Sequence, residues 1–325
     1  MKKLHKQYNS KGLLGDTVNL DFTTIPYWGD NDHLENNWSG KRRQSLASML
    51  AVLAQDSDSG IIDYGDTGVL HKNQDAVVLE YLDFYRQDKS EDNLKYLVFD
   101  SKFTNYQNLA KLDKDGIMFL TIRRRGKNII KEINDLPVSS WKKKGVACAG
   151  NKNRTLKVHD SIISLKGYGE KIRQIAFTGH GKIKPALIIT NDFELRAEEV
   201  IRKYSRRWLI EKSISEQINF FHLNCVSSSM VIKVDFDLTM TILAHNLYKL
   251  LAMQLDRYAH LSDISIYEKF IMNSGEIEIQ NKEINLKFKK KKNLPLMLSV
   301  MKQFDLIKYP WAEDKKMDFT GLAIS

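Results

Sequence analysis

The sequence predicts a mixed α/β domain that carries a β-rich insertion. Three features of the chain indicate this class. Short apolar segments with the length of buried strands alternate with helical patterns through residues 1–125. Glycine-punctuated segments of alternating polarity fill residues 126–185, and two long helical patterns follow them.

The first part of the chain alternates between predicted strands and helices. Residues 16–24 alternate apolar and polar side chains and end in threonines, as a half-buried strand does. Continuous apolar runs predict buried strands over 45–54, 95–99 and 117–123. Periodicity alone does not exclude a helix for the first of these runs. Apolar residues at helical spacing predict helices over 74–88 and 104–114.

The second part begins with the glycine-rich stretch, whose short alternating pieces predict antiparallel strands. A buried strand over 186–190, a helix over about 196–220 and an apolar helix over about 235–256 are expected after it. The tail from 260 is mixed in pattern and basic. We therefore divide the chain into four parts: a first core segment (1–125), the β-rich insertion (126–185), the C-terminal core helices (186–260) and a basic tail (261–325).

Composition favours a polyanionic partner. The 325 residues carry a net charge of +10, with an isoelectric point near 9.3. A merely basic protein is the alternative. Two cysteines far apart in the sequence fit a reducing cytoplasm. No apolar run reaches the roughly 18 residues of a membrane span, and the lysine-rich N-terminus lacks the apolar segment of a signal peptide.

Three acidic residues lie on elements that such a fold would bring together: Asp21 in a strand, Asp100 at the end of another strand, and Glu211 in a late helix. Cleavage of a phosphodiester by two divalent ions needs hard oxygen ligands that converge from different elements. The two ions lie roughly 3.5–4 Å apart in such sites. The three carboxylates therefore predict a phosphoryl-transfer site that binds two Mg²⁺ ions, which Mn²⁺ can replace.

Each carboxylate also has an ordinary structural interpretation. Aspartate is common at strand ends as a turn or cap residue, which is the alternative for Asp100. Asp21 lies between Leu20 and Phe22 in an apolar strand, where an unpaired charge is costly unless a metal or cation neutralises it. Glu211 alone would be a solvated helix residue.

The predicted helix over 196–220 strengthens the functional interpretation. Tyr204, Arg207 and Glu211 are spaced at i, i+3 and i+7, so they share one helix face. A surface stripe of salt bridges is the alternative. Arg207 can clamp a phosphate with two hydrogen bonds, and Tyr204 can add a hydroxyl contact to a DNA backbone.

These residues resemble the bacterial insertion-sequence transposases of the DDE superfamily, in the cut-and-paste branch with a Y-R-E-K signature. The resemblance covers roughly residues 16–256. It rests on four stretches: Asp21-Phe22-Thr23, Val98-Phe99-Asp100, Tyr204-x-x-Arg207-x-x-x-Glu211, and Leu243-Ala244-His245-Asn246-Leu247-Tyr248.

The resemblance implies an RNase H-like mixed sheet with helices on both faces and a β-rich insertion before the last catalytic helix. It also implies a Mg²⁺-dependent endonuclease and strand transferase acting on terminal inverted repeats and on target DNA. Members can form a hairpin intermediate and stack a flipped base on an aromatic of the insertion. Trp141 is the candidate here, although a buried tryptophan is the simpler interpretation. A homodimer on DNA and a bacterial, nucleoid-associated cytoplasmic protein are expected by the same analogy.

Two positions depart from the family pattern. The lysine seven residues after the glutamate falls at position 218, which is Ile218 here. Only 20 residues precede Asp21, whereas members usually carry a separate N-terminal DNA-binding region. A truncated or split copy, or DNA binding by the core and tail alone, would account for the second departure.

Basic clusters flank the predicted site. A solvated surface is the ordinary interpretation of any one of them, but several around a carboxylate site fit phosphate contacts. They are Arg123, Arg124, Arg125 and Lys127; Lys142, Lys143 and Lys144; Arg202, Lys203, Arg206 and Arg207; and Lys287, Lys289, Lys290, Lys291 and Lys292.

Two other functions remain open from the sequence. One is a general RNase H-like nuclease that cuts without strand transfer. The other is a non-catalytic or truncated DNA-binding protein derived from a transposase. Metal-dependent cleavage and joined or hairpin products distinguish the three.

Overall fold

The computed structural model describes residues 1–27, 34–39, 43–87, 93–148, 152–182, 184–223 and 231–322. The chain divides into two compact units, Met1–Ile242 and Leu243–Ser325. The three predicted acidic residues lie in the first unit.

Strands and helices are named in chain order. The described strands are β1 (Thr17–Pro26), β2 (Asn36–Ser39), β3 (Gln44–Asp56), β4 (Ile62–Val69), β5 (Tyr96–Phe99), β6 (Met118–Ile122), β7 (Lys142–Cys148), β8 (Lys152–Ser164), β9 (Lys171–Thr178), β10 (Ala186–Thr190), β11 (Gly275–Ile279), β12 (Glu283–Phe288), β13 (Lys308–Tyr309) and β14 (Lys315–Gly321). The described α-helices are α1 (Lys2–Ser10), α2 (Val77–Arg86), α3 (Tyr106–Lys114), α4 (Lys127–Asn134), α5 (Ala197–Ser205), α6 (Trp208–Asn219), α7 (Val231–Gln254), α8 (Asp263–Ile266) and α9 (Leu294–Met301).

One mixed sheet organises the first unit. Strands β4, β3 and β1 are antiparallel neighbours, and β1, β5 and β6 are parallel neighbours. Antiparallel β10, β9, β8 and β7 continue the sheet beyond β6, and β2 pairs with the start of β3. This mixed α/β architecture is compatible with an RNase H-like fold.

Helices pack on both faces of this sheet. Residues that pair directly share a face, so Asn19 on β1, Gln55 on β3 and Val98 on β5 point the same way. Apolar side chains of α5, α6 and the first turns of α7 cover this face, while α2 and α3 cover the other. The catalytic candidates on β1 and β5 therefore face α5 and α6.

Gly65 on β4 allows α7 to approach the sheet closely. A Cβ atom at this position would collide with the side chain of Ile242 and press on that of Leu53. A larger residue would force the helix away from the strand.

The predicted strands and helices of residues 1–125 are largely confirmed, including the strand interpretation of 45–54, which lies inside β3. Residues 126–185 contain the expected antiparallel strands β7, β8 and β9, but helix α4 precedes them. These strands extend the main sheet through β10 and do not form a sheet of their own. The single helix predicted over 196–220 is wrong, because α5 ends at Ser205 and α6 begins at Trp208.

The second unit contains a small sheet in the order β11, β12, β14, β13. The hydrophobic core of this unit includes Ala252, Leu255, Ile266 and Phe270. The part of the chain from 261 that sequence patterns describe only as a basic tail is thus largely folded over its described residues. None of the described helices, the 24-residue α7 included, is long and apolar enough to cross a membrane.

Candidate active site

Asp21 stands on the central strand β1, on the face covered by α5 and α6. Its neighbour Leu20 points the other way and is fully buried. The side chain of Asp21 is only 14% exposed. One carboxylate oxygen, Oδ1, accepts a hydrogen bond from the backbone N–H of Phe22 at 2.8 Å, which fixes the orientation of the group.

Asp100 follows directly after β5. The parallel pairing of β1 with β5 matches Leu20 with Phe99, so the next residue on each strand is one of the two aspartates. Oδ1 of Asp100 accepts a hydrogen bond from the backbone N–H of Lys102 at 2.6 Å and caps the short 3-10 helix Ser101–Phe103. Asp100 therefore both caps the 3-10 helix and lies beside Asp21.

Two threonines hold the backbone at Asp100. The hydroxyl of Thr121 on β6 donates to the Asp100 carbonyl at 3.2 Å and lies 2.8 Å from the hydroxyl of Thr104. Thr104 also donates to this carbonyl at 3.4 Å. We did not single out these residues from the sequence. The feature that could have pointed to Thr121 is its polar side chain in the otherwise apolar strand β6, where it pairs with Phe99.

Glu211 lies in the first turn of α6, after the interruption at Arg206–Arg207. Both interrupting residues keep right-handed helical dihedral angles. The backbone there makes i→i−3 hydrogen bonds, from Arg207 to Tyr204 at 3.0 Å and from Ile210 to Arg207 at 3.1 Å. The tightened turn keeps Tyr204, Arg207 and Glu211 on one side, as the spacing predicts.

Arg207 connects the helix to the strand. Its Nη1 donates to Oδ2 of Asp21 at 2.6 Å, and its Nη2 donates to Oε1 of Glu211 at 2.6 Å. The ring centroid of Tyr204 lies 5.7 Å from Cζ of Arg207. The side chain of Arg207 is 15% exposed, whereas that of Glu211 is 53% exposed. The site therefore opens to solvent on the Glu211 side.

The charges of the site act strongly on one another. Burial raises the pKa of Asp21 to about 6, and the carboxylates of Asp100 and Glu211 add to the rise. Arg207 and the Phe22 N–H oppose it. Burial alone would lower the pKa of Arg207, but Tyr204, Asp21 and Glu211 raise it well above its usual value. Burial is therefore the main cause of the raised pKa of Asp21, and Arg207 is the strongest charge that opposes it.

Comparison with known protein families agrees with this geometry. The family model described as "Transposase DDE domain" matches residues 15–247, which include all three carboxylates. The chain belongs to this transposase family. Membership implies a DNA substrate and, in general, the use of a divalent metal ion. No curated protein matches the chain significantly in sequence.

The carboxylates of this transposase suit a divalent ion. The carboxylates of Asp21 and Glu211 share the guanidinium of Arg207, and Asp100 lies close enough to act on the charge of Asp21. Hard cations prefer such oxygen donors. The carboxylates of Asp100 and Glu211 are close enough to Asp21 to add to the rise that burial causes in its pKa. Asp21, Asp100 and Glu211 are the candidate metal ligands that the sequence singles out at this place.

Ile218 occupies the position of the family's lysine in this transposase. Its side chain is partly buried and packs against the core beneath α6 and α7. The residue is part of the hydrophobic packing, so it supplies no cation to a DNA backbone.

Arg206 is directed away from the three carboxylates. Its Nη2 donates to the carbonyl of Ser57 at 2.7 Å and lies 3.0 Å from Asp58. A cavity of about 160 Å³ at this place is also lined by Arg202 and Lys203. Arg206 and the signature residue Arg207 are adjacent in the sequence but bond different parts of the molecule.

The three arginines after β6 begin beside Asp100. Arg124 is exposed and donates through Nε to the carbonyl of Ser101 at 3.0 Å. Arg123 donates to Gln174 at 2.6 Å, and Arg125 donates to the carbonyl of Pro185 at 2.5 Å. The cluster therefore extends from the 3-10 helix after Asp100 toward the strand β9.

Lys142 and Lys143 occupy opposite faces of β7. Lys142 lines a cavity of about 270 Å³ together with Lys144, Arg173 and Arg196. Lys143 is exposed on the opposite face. The two lysines cannot contact one phosphate together.

Trp141 is half-buried beside β7. Its ring packs against the small core formed by Ile133, Ala176 and Leu187, and its centroid lies 5.9 Å from that of His159. This packing supports a structural role for the ring.

Proposed function

We propose that this transposase belongs to the Y-R-E-K branch of the insertion-sequence enzymes and cuts DNA at transposon ends before joining them to target DNA. Asp21, Asp100 and Glu211 would hold two Mg²⁺ ions, which Mn²⁺ can replace. The observation that carries the proposal is the convergence of three carboxylates from separate elements on a largely buried Asp21.

The three carboxylates differ in how they are held and therefore in the part each plays in the proposed site. Asp21 is held rigidly by β1 and by the Phe22 N–H, and Asp100 is held by the threonine-supported end of β5. Glu211 is half-exposed on α6 and faces the open side of the site. When bound, the metal ions would activate the attacking oxygen and stabilise the leaving oxygen. Water attacks the phosphate at the transposon end in line and expels a 3′-hydroxyl. That 3′-hydroxyl then attacks a target phosphate in line and expels the 3′-hydroxyl of the target strand.

The guanidinium of Arg207 supplies the substrate contact. It can form two parallel hydrogen bonds to a phosphate, and Tyr204 lies beside it. Burial raises the pKa of Tyr204 to about 12, so its hydroxyl stays protonated at neutral pH and remains a donor.

Basic residues outside the site would bind the DNA backbone without selecting sequence. We assign this role to Arg206, Arg123, Arg124, Arg125, Lys142 and Lys143. We further propose residues 126–185 as a DNA-contacting insertion and a homodimer on paired transposon ends. A bacterial cytoplasmic protein associated with the nucleoid follows from this activity.

Cleavage of a plasmid that carries the inverted repeats flanking the gene tests the proposal, with Mg²⁺ or with EDTA present. We expect Mg²⁺-dependent cuts at the repeat ends and joined or hairpin products. Cuts without such products would indicate a general nuclease. DNA binding without cleavage would indicate a non-catalytic transposase-derived protein.

A further inference from the structure

The guanidinium of Arg207 donates hydrogen bonds to carboxylate oxygens that a metal ion would need as ligands. Each terminal nitrogen of the guanidinium bonds a different carboxylate, Asp21 or Glu211, at 2.6 Å. Oδ1 of Asp21 is already bonded to the Phe22 N–H, so Oδ2 is the oxygen that Arg207 takes. The guanidinium thus ties two of the three carboxylates together.

A metal ion and the guanidinium of Arg207 compete for the same carboxylate oxygens of Asp21 and Glu211. Mg²⁺ binds oxygen at roughly 2.0–2.1 Å and requires near-octahedral geometry. A guanidinium at hydrogen-bond distance from the same oxygens would crowd the ion, and the two positive charges would repel each other. Binding of the ion therefore favours a position of Arg207 away from Asp21.

We propose that Arg207 is an internal cation that holds Asp21 and Glu211 in the DNA-free protein and is drawn away by a DNA phosphate. DNA binding and divalent-metal binding then favour each other. This inference rests on the proposed function, because it requires that the carboxylates bind metal and that the site binds DNA.

The surroundings of Arg207 fit such an exchange. A phosphate offers the same two-point pairing to the guanidinium that the carboxylates offer. The open side of the site at Glu211 gives a phosphate access to Nη2. Among the described residues, Nε of Arg207 has no hydrogen-bond partner. Besides the two carboxylates, Tyr204 is the side chain that bonds the guanidinium.

The affinity for the metal ion and the affinity for DNA must change by the same factor when the other ligand binds, because both belong to one thermodynamic cycle. If a phosphate removes Arg207 from the carboxylates, DNA should tighten metal binding by about tenfold, within the usual range of such couplings. Metal should tighten DNA binding by the same factor. Removal of the guanidinium should tighten metal binding without DNA.

Mn²⁺ titrations test the coupling, followed by the electron paramagnetic resonance signal of the free ion. We would measure wild type and Arg207→Gln, each alone and with a short duplex carrying the flanking inverted repeat. Wild type should gain about tenfold in Mn²⁺ affinity on adding DNA. DNA-free Arg207→Gln should bind Mn²⁺ about tenfold more tightly than DNA-free wild type and gain less from DNA. A full tenfold gain that persists in the variant would overturn the inference, because it would come from direct contact between metal and phosphate.

Lys212→Gln is the matched control, since it removes one exposed positive charge next to Glu211. Its Mn²⁺ affinity should change much less than that of Arg207→Gln. Equal effects of the two variants would show a general charge effect and overturn the inference. Should Arg207→Gln fail to fold, a wild-type Mn²⁺ affinity that DNA does not alter would overturn it as well.

Asp21→Asn distinguishes a failure of the proposed function from a failure of the coupling between metal and DNA binding. Absence of Asp21-dependent Mn²⁺ binding in wild type, with or without DNA, would overturn the proposed function and the coupling with it. Asp21-dependent binding that neither Arg207→Gln nor DNA alters would overturn the coupling alone.

Discussion

At the scale of single residues, the site depends on where each carboxylate is held. Asp21 is largely buried and fixed, Asp100 caps a 3-10 helix and has a backbone supported by threonines, and Glu211 is half-exposed. Their environments differ, so their substitution should not have equal structural consequences. Asp100 is the most informative because it combines a cap role with the proposed metal role.

Asp100→Asn should abolish cleavage while DNA binding survives. An asparagine side-chain oxygen can still accept the Lys102 N–H and cap the 3-10 helix, but it lacks the charge that a metal ligand needs. We expect cleavage to fall by more than about a hundredfold, since the loss of metal charge stabilisation is several kcal/mol. Cleavage assays and gel-shift measurements check this. Asp115→Asn, at an exposed helix end, is the control, and cleavage by Asp100→Asn at the control's rate would exclude a catalytic role.

The residue pattern identified part of this site. An aspartate inside an apolar strand and the i, i+3, i+7 spacing of Tyr204, Arg207 and Glu211 are local signals. The bond from Arg207 to Asp21 joins residues 186 positions apart, and no local pattern encodes such a contact. The opposite directions of Arg206 and Arg207 depend on the packing of α5 and α6 for the same reason.

At the scale of elements, the connection from β10 to α5 positions the signature helices. Asp192 is almost fully buried there. Its Oδ1 accepts the N–H groups of Glu194 and Leu195 at 2.8 and 2.9 Å, and its Oδ2 accepts the Tyr96 hydroxyl at 2.6 Å. Arg173 adds a bond to the Asp192 carbonyl at 3.1 Å. This network fixes where α5 starts and therefore where α6 carries Glu211.

The network predicts a loss of stability in acid. Burial alone would raise the pKa of Asp192, but bonds from Tyr96, Leu195 and Glu194 and the charge of Arg173 lower it below its usual value. A lowered folded-state pKa stabilises the fold above the unfolded value, near 3.8, and this stabilisation is lost as pH falls through the folded value.

Urea unfolding at several pH values measures this effect. Asp192→Asn should lower the free energy of unfolding by about 2 kcal/mol at neutral pH, as charged hydrogen bonds are lost. The difference from wild type should shrink below about pH 4. Asp83→Asn, on the exposed side of α2, should show little difference at any pH. A deficit of Asp192→Asn that stays constant into acid would contradict the assignment.

Element types followed from periodicity more readily than element boundaries did. Buried strands such as β3 and β10 have continuous apolar runs. The interruption between α5 and α6 falls at Arg206 and Arg207, which keep helical dihedral angles. No glycine or proline marks it in the sequence. The pairing of β10 with β6 and the sheet of β11–β14 are non-local, and alternation alone does not select a partner strand.

At the scale of the whole molecule, a net charge of +10 accompanies a negatively charged site. Cations outside the site must supply most of the attraction for DNA. Binding should therefore weaken steeply as salt rises, since each phosphate contact releases a counterion.

The insertion lysines give a test of this arrangement. Lys142→Gln combined with Lys143→Gln should reduce the slope of log affinity against log salt by about two, if each lysine contacts a phosphate. Fluorescence anisotropy of a labelled duplex across a salt series measures the slope. Lys302→Gln, an exposed lysine of the second unit, should leave the slope unchanged. An unaltered slope in the double variant would place β7 outside the DNA path.

The central claim is that three carboxylates form one metal-dependent DNA-cutting site. Its most direct test compares Glu211→Gln with Glu170→Gln, an exposed glutamate remote in sequence from the signature helices, on a plasmid bearing the flanking inverted repeats in Mg²⁺. We expect cuts at the repeat ends by wild type and Glu170→Gln, none by Glu211→Gln, and DNA binding by all three. Cleavage by Glu211→Gln at the wild-type rate would contradict it.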